Sequence, residues 1–172
     1  ISALAPFAAP SIGIVTNVGE THIELLGSIE NIAKAKAELV EAIPAGGRVI
    51  LNNDNPYTAA MANKAAEGVK IITFGIDEPA DIKAENLVSN DNSTTFQCRI
   101  GRDGSVCQLT IPMLGRHNVS NALAAVAAGH CLGLTAEEIA RGLSDMHMTV
   151  MRFECRQLGE YNIINDAYNA SP

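Results

Sequence analysis

Residues 48–75, RVILNNDNPYTAAMANKAAEGVKIITFG, decide the class of fold. Arg48 to Asn52 is a short apolar run, Asn53-Asp54-Asn55-Pro56 is a turn, Tyr57 to Ala66 is an Ala-rich helical stretch, and Lys70 to Phe74 with Gly75 is a second apolar run. Upstream, Ile12 to Asn17 is another apolar run, which ends in the polar turn Asn17-Val18-Gly19-Glu20. The order is βαβαβ, which predicts a parallel sheet with right-handed crossovers. Ligands of such sheets sit beyond the carboxyl ends of the strands, where Asn17 to His22 and Asn52 to Asn55 both fall.

The helix between the first two strands is the most informative part of this unit. From Ser28, a predicted N-cap, to Ile43 the apolar positions Ile29, Ile32, Ala33, Leu39, Val40 and Ile43 recur at helical spacing, and Lys36 falls in the middle of that stripe. Lys34 instead shares the polar face with Glu30, Asn31, Glu38 and Glu41. Two readings of Lys36 are open. Burial favours the neutral amine, a nucleophile that can form a carbamate with carbon dioxide and so become a metal ligand. Alternatively, the side chain lies at the margin of the stripe and extends its ammonium to water.

Composition narrows the function classes. The chain has 172 residues, is 47% hydrophobic, and carries a formal net charge of -7 with no Trp and no basic cluster. That balance argues against nucleic acid and anionic membranes as partners and favours a small molecule. No run of about eighteen apolar residues exists to span a membrane. The opening ISALAPFAAP is apolar but has neither an initiator Met nor a positive leader segment, and it reads as the interior of a longer protein. The four cysteines, Cys98, Cys107, Cys131 and Cys155, form no CxxC pair. Cys98 and Cys107 can face each other across a hairpin, but packed free thiols in a reducing cytoplasm are the expectation.

Beyond Gly75 the period changes. Ile82 to Val88, Thr94 to Ile100 and Val106 to Ile111 predict a small antiparallel meander, with a turn at Asp103-Gly104. Two helices follow, Asn118 to Leu132 and a second opened by the capping box Thr135-x-x-Glu138 and running to about Leu143. Phe153 to Leu158 and Tyr161 to Asn165 flank Gly159-Glu160 as a hairpin that cannot form its own core. Domains are therefore expected at 1–150 and 151–172, the second truncated.

Several polar clusters are site candidates, each with an ordinary alternative. His22, beside Glu20 and Glu24, suits a hard cation or is structural. Gly115-Arg116-His117-Asn118 opens a helix whose N–H groups suit an anion, with Asn118 and Asn121 on one face, or it is plain capping. Arg152 beside Glu154 is a possible cross-strand pair, and Asp166 either fixes ribose hydroxyls or begins an Asx turn.

TNVGETHIELLGSIENIAKAKAELV, LNNDNP, LGRHNVSNALAA, MRFE and NDAYNASP occur in the order in which similar segments occur in the Mur ligases, the ATP-dependent amide-forming enzymes of bacterial peptidoglycan precursor synthesis. The resemblance covers nearly the whole chain. The wording NVGETHIELLGS, AKAE and above all DAYNASP is most similar to the branch that adds D-alanyl-D-alanine to UDP-N-acetylmuramoyl-tripeptide (UDP-MurNAc-tripeptide); siblings more often have D-H-x-D/T where this chain has Glu20-Thr21-His22. The resemblance implies a parallel-sheet central domain, ATP and Mg2+ as cofactors, and a cytoplasmic location. It implies that Lys36 is the lysine that becomes carbamylated and helps hold magnesium, and that His22 ligates a second magnesium. Asn118 and Asn121 then match the helix start that contacts adenine, Arg152 the arginine reaching ATP from the C-terminal domain, and Asp166 the acid on the ribose. Tyr168 and Asn169 share that last loop without assigned roles. The implied chemistry is phosphorylation of a substrate carboxylate by ATP, then attack of an amine on the acyl phosphate.

One departure matters. No G-x-x-x-x-G-K-[ST] loop occurs in these residues, and the family places that loop upstream of Ile1. The expectation is a fragment, mostly the central ATPase domain, without ligase activity by itself. Two other readings are a sibling ligase adding the third amino acid and a non-catalytic nucleotide-binding module. A nicotinamide enzyme would want G-x-G-x-x-G after the first strand, and Asn17-Val18-Gly19-Glu20 does not supply it.

Overall fold

The computed structural model describes residues 1–20, 23–101, 104–146, 154–165 and 167. In chain order the elements are α1 (Ala5–Ala8), β1 (Ile12–Val15), α2 (Ile23–Leu26), α3 (Ile29–Glu41), β2 (Arg48–Asn52) and α4 (Pro56–Ala60). They continue with a 3-10 turn (Met61–Lys64), β3 (Lys70–Gly75), β4 (Ile82–Ser89), β5 (Thr94–Ile100), β6 (Ser105–Ile111), α5 (Arg116–Cys131), α6 (Ala136–Ser144), β7 (Glu154–Leu158) and β8 (Tyr161–Asn165). The fold is α/β, with β1 to β6 in one six-stranded sheet in sequence order and β7 and β8 in a separate hairpin.

β1, β2 and β3 run parallel, in the registers Ile14↔Ile50 and Ile50↔Ile72. The predicted meander is present but is not a separate piece. β4 joins β3 in parallel through Phe74↔Ile82 and Gly75↔Lys83, and β5 and β6 then pair antiparallel. A parallel connection ordinarily needs a dozen or more residues, but an overlap of two residue pairs lets residues 76–81 suffice.

Two cores flank the sheet. α3 lays Ile32, Ala37 and Val40 against Val15, Val49 and Leu51 on one side. On the other, α5 and α6 pack Val119, Leu123, Val126 and Ile139 over Ile50, Phe74, Phe96 and Leu109. Full burial of about a dozen such side chains, at roughly 1.5–3 kcal/mol each, is the main favourable term.

Local signals mostly act as expected. Ser28 caps α3 through Asn31 N–H at 3.2 Å, and Thr135 with Glu138 forms the capping box of α6. Cys98 and Cys107 stand opposite in register as free thiols. The Ala-rich helix does not run on to Ala66: it starts at Pro56 and tightens to a 3-10 turn over Met61–Lys64, with Tyr57, Met61, Ala62 and Ala65 packed on the core beneath α3. α5 begins two residues before Asn118, since Gly115, at φ 96, turns the chain into the helix. The β7–β8 hairpin leaves Leu158, Tyr161, Ile163 and Ile164 exposed. Among the described residues no helix is long and apolar enough to cross a membrane.

Candidate functional site

The carboxyl ends of β1, β2 and β3 meet the amino end of α5 around a cleft of about 460 Å3. Asn17, Asn52, Asp77, Arg116, Ser120 and Asn121 line it. Parallel strands bring their ends to one edge, and the first turns of α5 face it through Arg116, His117, Ser120 and Asn121.

The turn after β2 organises this edge. Asn52 is buried, with its Nδ2 donating to Thr16 O at 2.9 Å and its Oδ1 accepting from Asp54 N–H at 2.9 Å. Both ends of that amide are committed to the backbone. Asn55 Nδ2 donates to Asn17 Oδ1 at 2.7 Å and Val18 O at 2.9 Å, while Asn55 Oδ1 caps α4 through Tyr57 and Thr58 N–H at 3.1 Å each. The buried Thr58 hydroxyl closes the turn by donating to Asn52 O and, at 2.9 Å, to Asn55 O.

Lys36 reaches this network. Its Nζ donates to Asn17 O at 2.7 Å, whereas Lys34 points to solvent. The side chain is half-buried, which favours the reading of a lysine at the margin of the stripe over one held inside the helix's packing surface. Lys36 does sit between Ile32 and Val40, one turn from each, but its four-carbon stem carries the ammonium past the stripe to the end of β1. That position is neither the deep core nor open water.

Asn121 is exposed and lines the cleft. Asn118 is half-buried and donates from Nδ2 to Leu114 O at 2.7 Å, so its amide nitrogen is turned back on the segment before α5. His22, Arg152, Asp166, Tyr168 and Asn169 lie outside the described residues, as do Asp103 of the predicted turn and Phe153 of the predicted hairpin. The structure therefore brings Lys36 and Asn121 to the same edge, with Asn17 between them.

Sequence reading placed Arg116 and Asp54 in candidate segments without giving either side chain a role, and missed Asp77. Arg116 Nη2 donates to both oxygens of Asp77, at 2.6 and 2.7 Å, across the mouth of the cleft. The legible signal was the run of four polar residues Asn52 to Asn55 immediately after a buried strand, which is more hydrogen-bonding capacity than a simple turn needs.

The chemistry of the lining suits a neutral, planar, hydrogen-bonding ligand part such as a purine, because amides and a hydroxyl both donate and accept. It does not by itself suit magnesium. Among the described residues no group of three His, Cys, Asp or Glu side chains converges, and Lys36 as an ammonium repels a cation.

The family model for the Mur ligase middle domain matches residues 2–129. The chain is 36% identical over 173 residues to UDP-N-acetylmuramoyl-tripeptide–D-alanyl-D-alanine ligase of Bacillus subtilis (strain 168), covering 100% of this chain and 36% of that protein. It is 35% identical over 158 residues to UDP-N-acetylmuramate–L-alanine ligase of Dinoroseobacter shibae, covering 91% of this chain and 34% of that protein. The crystal structure of MurF from Acinetobacter baumannii superimposes with a TM-score of 0.90 at 29% identity, over 99% of this chain and 36% of that one. The chain thus spans about a third of the length of the relatives it matches.

Proposed function

The chain belongs to the Mur ligase family, and from that premise we propose that it is the central portion of an ATP-dependent ligase joining D-alanyl-D-alanine to UDP-N-acetylmuramoyl-tripeptide in cytoplasmic peptidoglycan precursor synthesis. The observation that carries the nucleotide part is the convergence of Asn121 and Ser120 on α5 with the Asn17 loop, which also receives Lys36. The choice of substrates rests on similarity along the whole chain to a ligase named for that reaction, and on the NVGETHIELLGS and DAYNASP wording. Residues 1–150 are read as the central domain and 151–172 as the start of the next. In support, β7 and β8 form their own sheet and leave their apolar residues exposed.

When bound, ATP supplies the phosphoryl group that makes the substrate carboxylate an acyl phosphate open to attack by the incoming amine. The chain's own residues position and neutralise. Asn121, with Asn118 one turn earlier, holds the adenine edge at the start of α5. Arg152 would stabilise the negative charge that develops on the phosphates, and Asp166 would accept from ribose hydroxyls. Lys36, whose nitrogen reaches the end of β1, would on losing a proton and adding carbon dioxide present two carbamate oxygens there, and with His22 would hold magnesium. Conversion from ammonium to carbamate reverses the charge that now excludes a cation.

The test is ATP-dependent joining of D-alanyl-D-alanine to UDP-MurNAc-tripeptide by the full-length protein, with and without Lys36→Ala. Turnover that falls by about a hundredfold or more on substitution supports both the reaction and the lysine's role. A protein inactive with this pair but active with a single amino acid is a sibling ligase. Unchanged turnover in Lys36→Ala removes the lysine from the mechanism. The 172-residue chain alone, which lacks a phosphate-binding glycine loop, is expected to form no ADP from ATP and magnesium.

A further inference from the structure

The turn Asn52 to Asn55 works in two directions. Backward, its amides hold the Thr16 to Val18 segment where Lys36 docks. Forward, Asn53 Nδ2 donates to Pro79 O at 2.6 Å, and the Asp54 carboxylate accepts three successive backbone N–H groups, from Ile76 at 2.6 Å, Asp77 at 3.0 Å and Glu78 at 2.8 Å. A carboxylate with three such donors is a strong, directional anchor.

Gly75 makes the anchor possible. A Cβ there would lie 2.8 Å from Asp54 Oδ1 and 3.3 Å from Glu78 O, so any side chain would push the carboxylate and the loop apart. Lys83 Nζ adds bonds of 2.9 Å to the carbonyls of Asp77 and Glu78. The loop so held presents the Asp77 carboxylate to Arg116 on the first turn of α5.

The Asp77–Arg116 pair is itself solvent-exposed, at 71% and 60%, and an exposed pair contributes roughly 0–1 kcal/mol. Its consequence is geometric: it ties the start of α5, one turn before Ser120 and Asn121, to a loop that Asp54 has already fixed. We propose that Asp54 is a positioning residue for the nucleotide, acting through the loop 76–78, Asp77 and Arg116 to set the face of α5 that meets the base. This rests on the reading of the cleft as the nucleotide site.

Asn at position 54 replaces one acceptor oxygen with an NH2 that confronts backbone N–H donors, while Gly75→Ala displaces the loop and leaves the carboxylate chemically intact. In the full-length ligase, both Asp54→Asn and Gly75→Ala are expected to raise KM for ATP by about tenfold, with kcat and both peptide-substrate KM values within about threefold. Asp77→Ala and Arg116→Ala are expected to raise the same KM, and Asp54→Asn/Arg116→Ala to do no more than Asp54→Asn alone, since the two lie on one path. A merely structural Asp54 would lower the apparent kcat through loss of folded enzyme and leave every KM, that for ATP included, unchanged. That pattern, or an ATP KM within twofold of the parent in Asp54→Asn, overturns the proposal. If Asp54→Asn does not fold, the exposed Arg116→Ala decides it by the same twofold criterion. A parent enzyme that turns over without ATP overturns the nucleotide reading instead.

Discussion

The parallel and antiparallel halves of the one sheet make different uses of the same backbone. β2 is buried along nearly its whole length, because α3 and α4 cover one face of it and α5 the other. β5 alternates buried and accessible residues, from Thr94 and Phe96 inward to Thr95 and Gln97 outward. In the parallel half every strand ends at the same edge, so the polar residues after β1, β2 and β3 gather into one network. In the antiparallel half successive strand ends alternate between edges, and polar side chains there pair locally, as Thr95 does with Thr110 at 2.9 Å. A concentrated site is thus a consequence of parallel direction, and the meander supplies core.

Mutations can break or sharpen that contrast. Phe96→Ala, which empties a fully buried position in the antiparallel half, is expected to cost about 3–5 kcal/mol in chemical denaturation while leaving the KM for ATP of the folded enzyme unchanged. A specific rise in that KM would breach the division. Asn55→Ala, in the parallel half, removes the α4 cap and two donors to the Asn17 loop. About 1–2 kcal/mol of stability should go with it, and kcat should fall more than its stability loss explains.

Cys98 sharpens the same line by its chemistry. Burial, with Cys107 opposite it, pushes its thiol up to about 12 from an ordinary value of 9.0. Folding therefore favours the neutral thiol: that contribution is complete below about pH 9 and is lost as pH rises from there toward 12. Alkylation at pH 8.5 followed by peptide mass mapping should label the half-buried Cys107 well before Cys98, and equal labelling would contradict the burial of the meander's inner face. The smallest effect belongs to Arg99→Ala. Its ion pair with Glu85, at 2.9 Å on the open face, should be worth no more than about 1 kcal/mol by thermal melt.

Local rules made the elements legible. β2, β3 and β5 fall where the apolar runs place them, and Thr135 and Glu138 start α6 as their spacing predicts. Of the cleft, the strand-end turns at Asn17 and Asn52 to Asn55 and the start of α5 with Asn121 were legible from element order, and Lys36 stood out against the pattern of its helix. What could not be read were partnerships across the chain: Asn17 with Asn55, Asp54 with residues 76–78, Asp77 with Arg116. Each residue alone is unremarkable in a turn, and its role arises from which strand end the fold sets beside it. Lys36 shows both sides, since periodicity located it but only the path of β1 decides where its nitrogen ends.

Pro56 also bears on how the protein ages. Asparagine is a thermolabile side chain, and its amide is ordinarily lost when the next backbone nitrogen attacks it; after Asn55 that nitrogen belongs to Pro56 and carries no hydrogen. The amide that donates to Asn17 Oδ1 and Val18 O is thereby shielded during heating or long storage. The docking point of Lys36 should outlast asparagine amides followed by an ordinary residue.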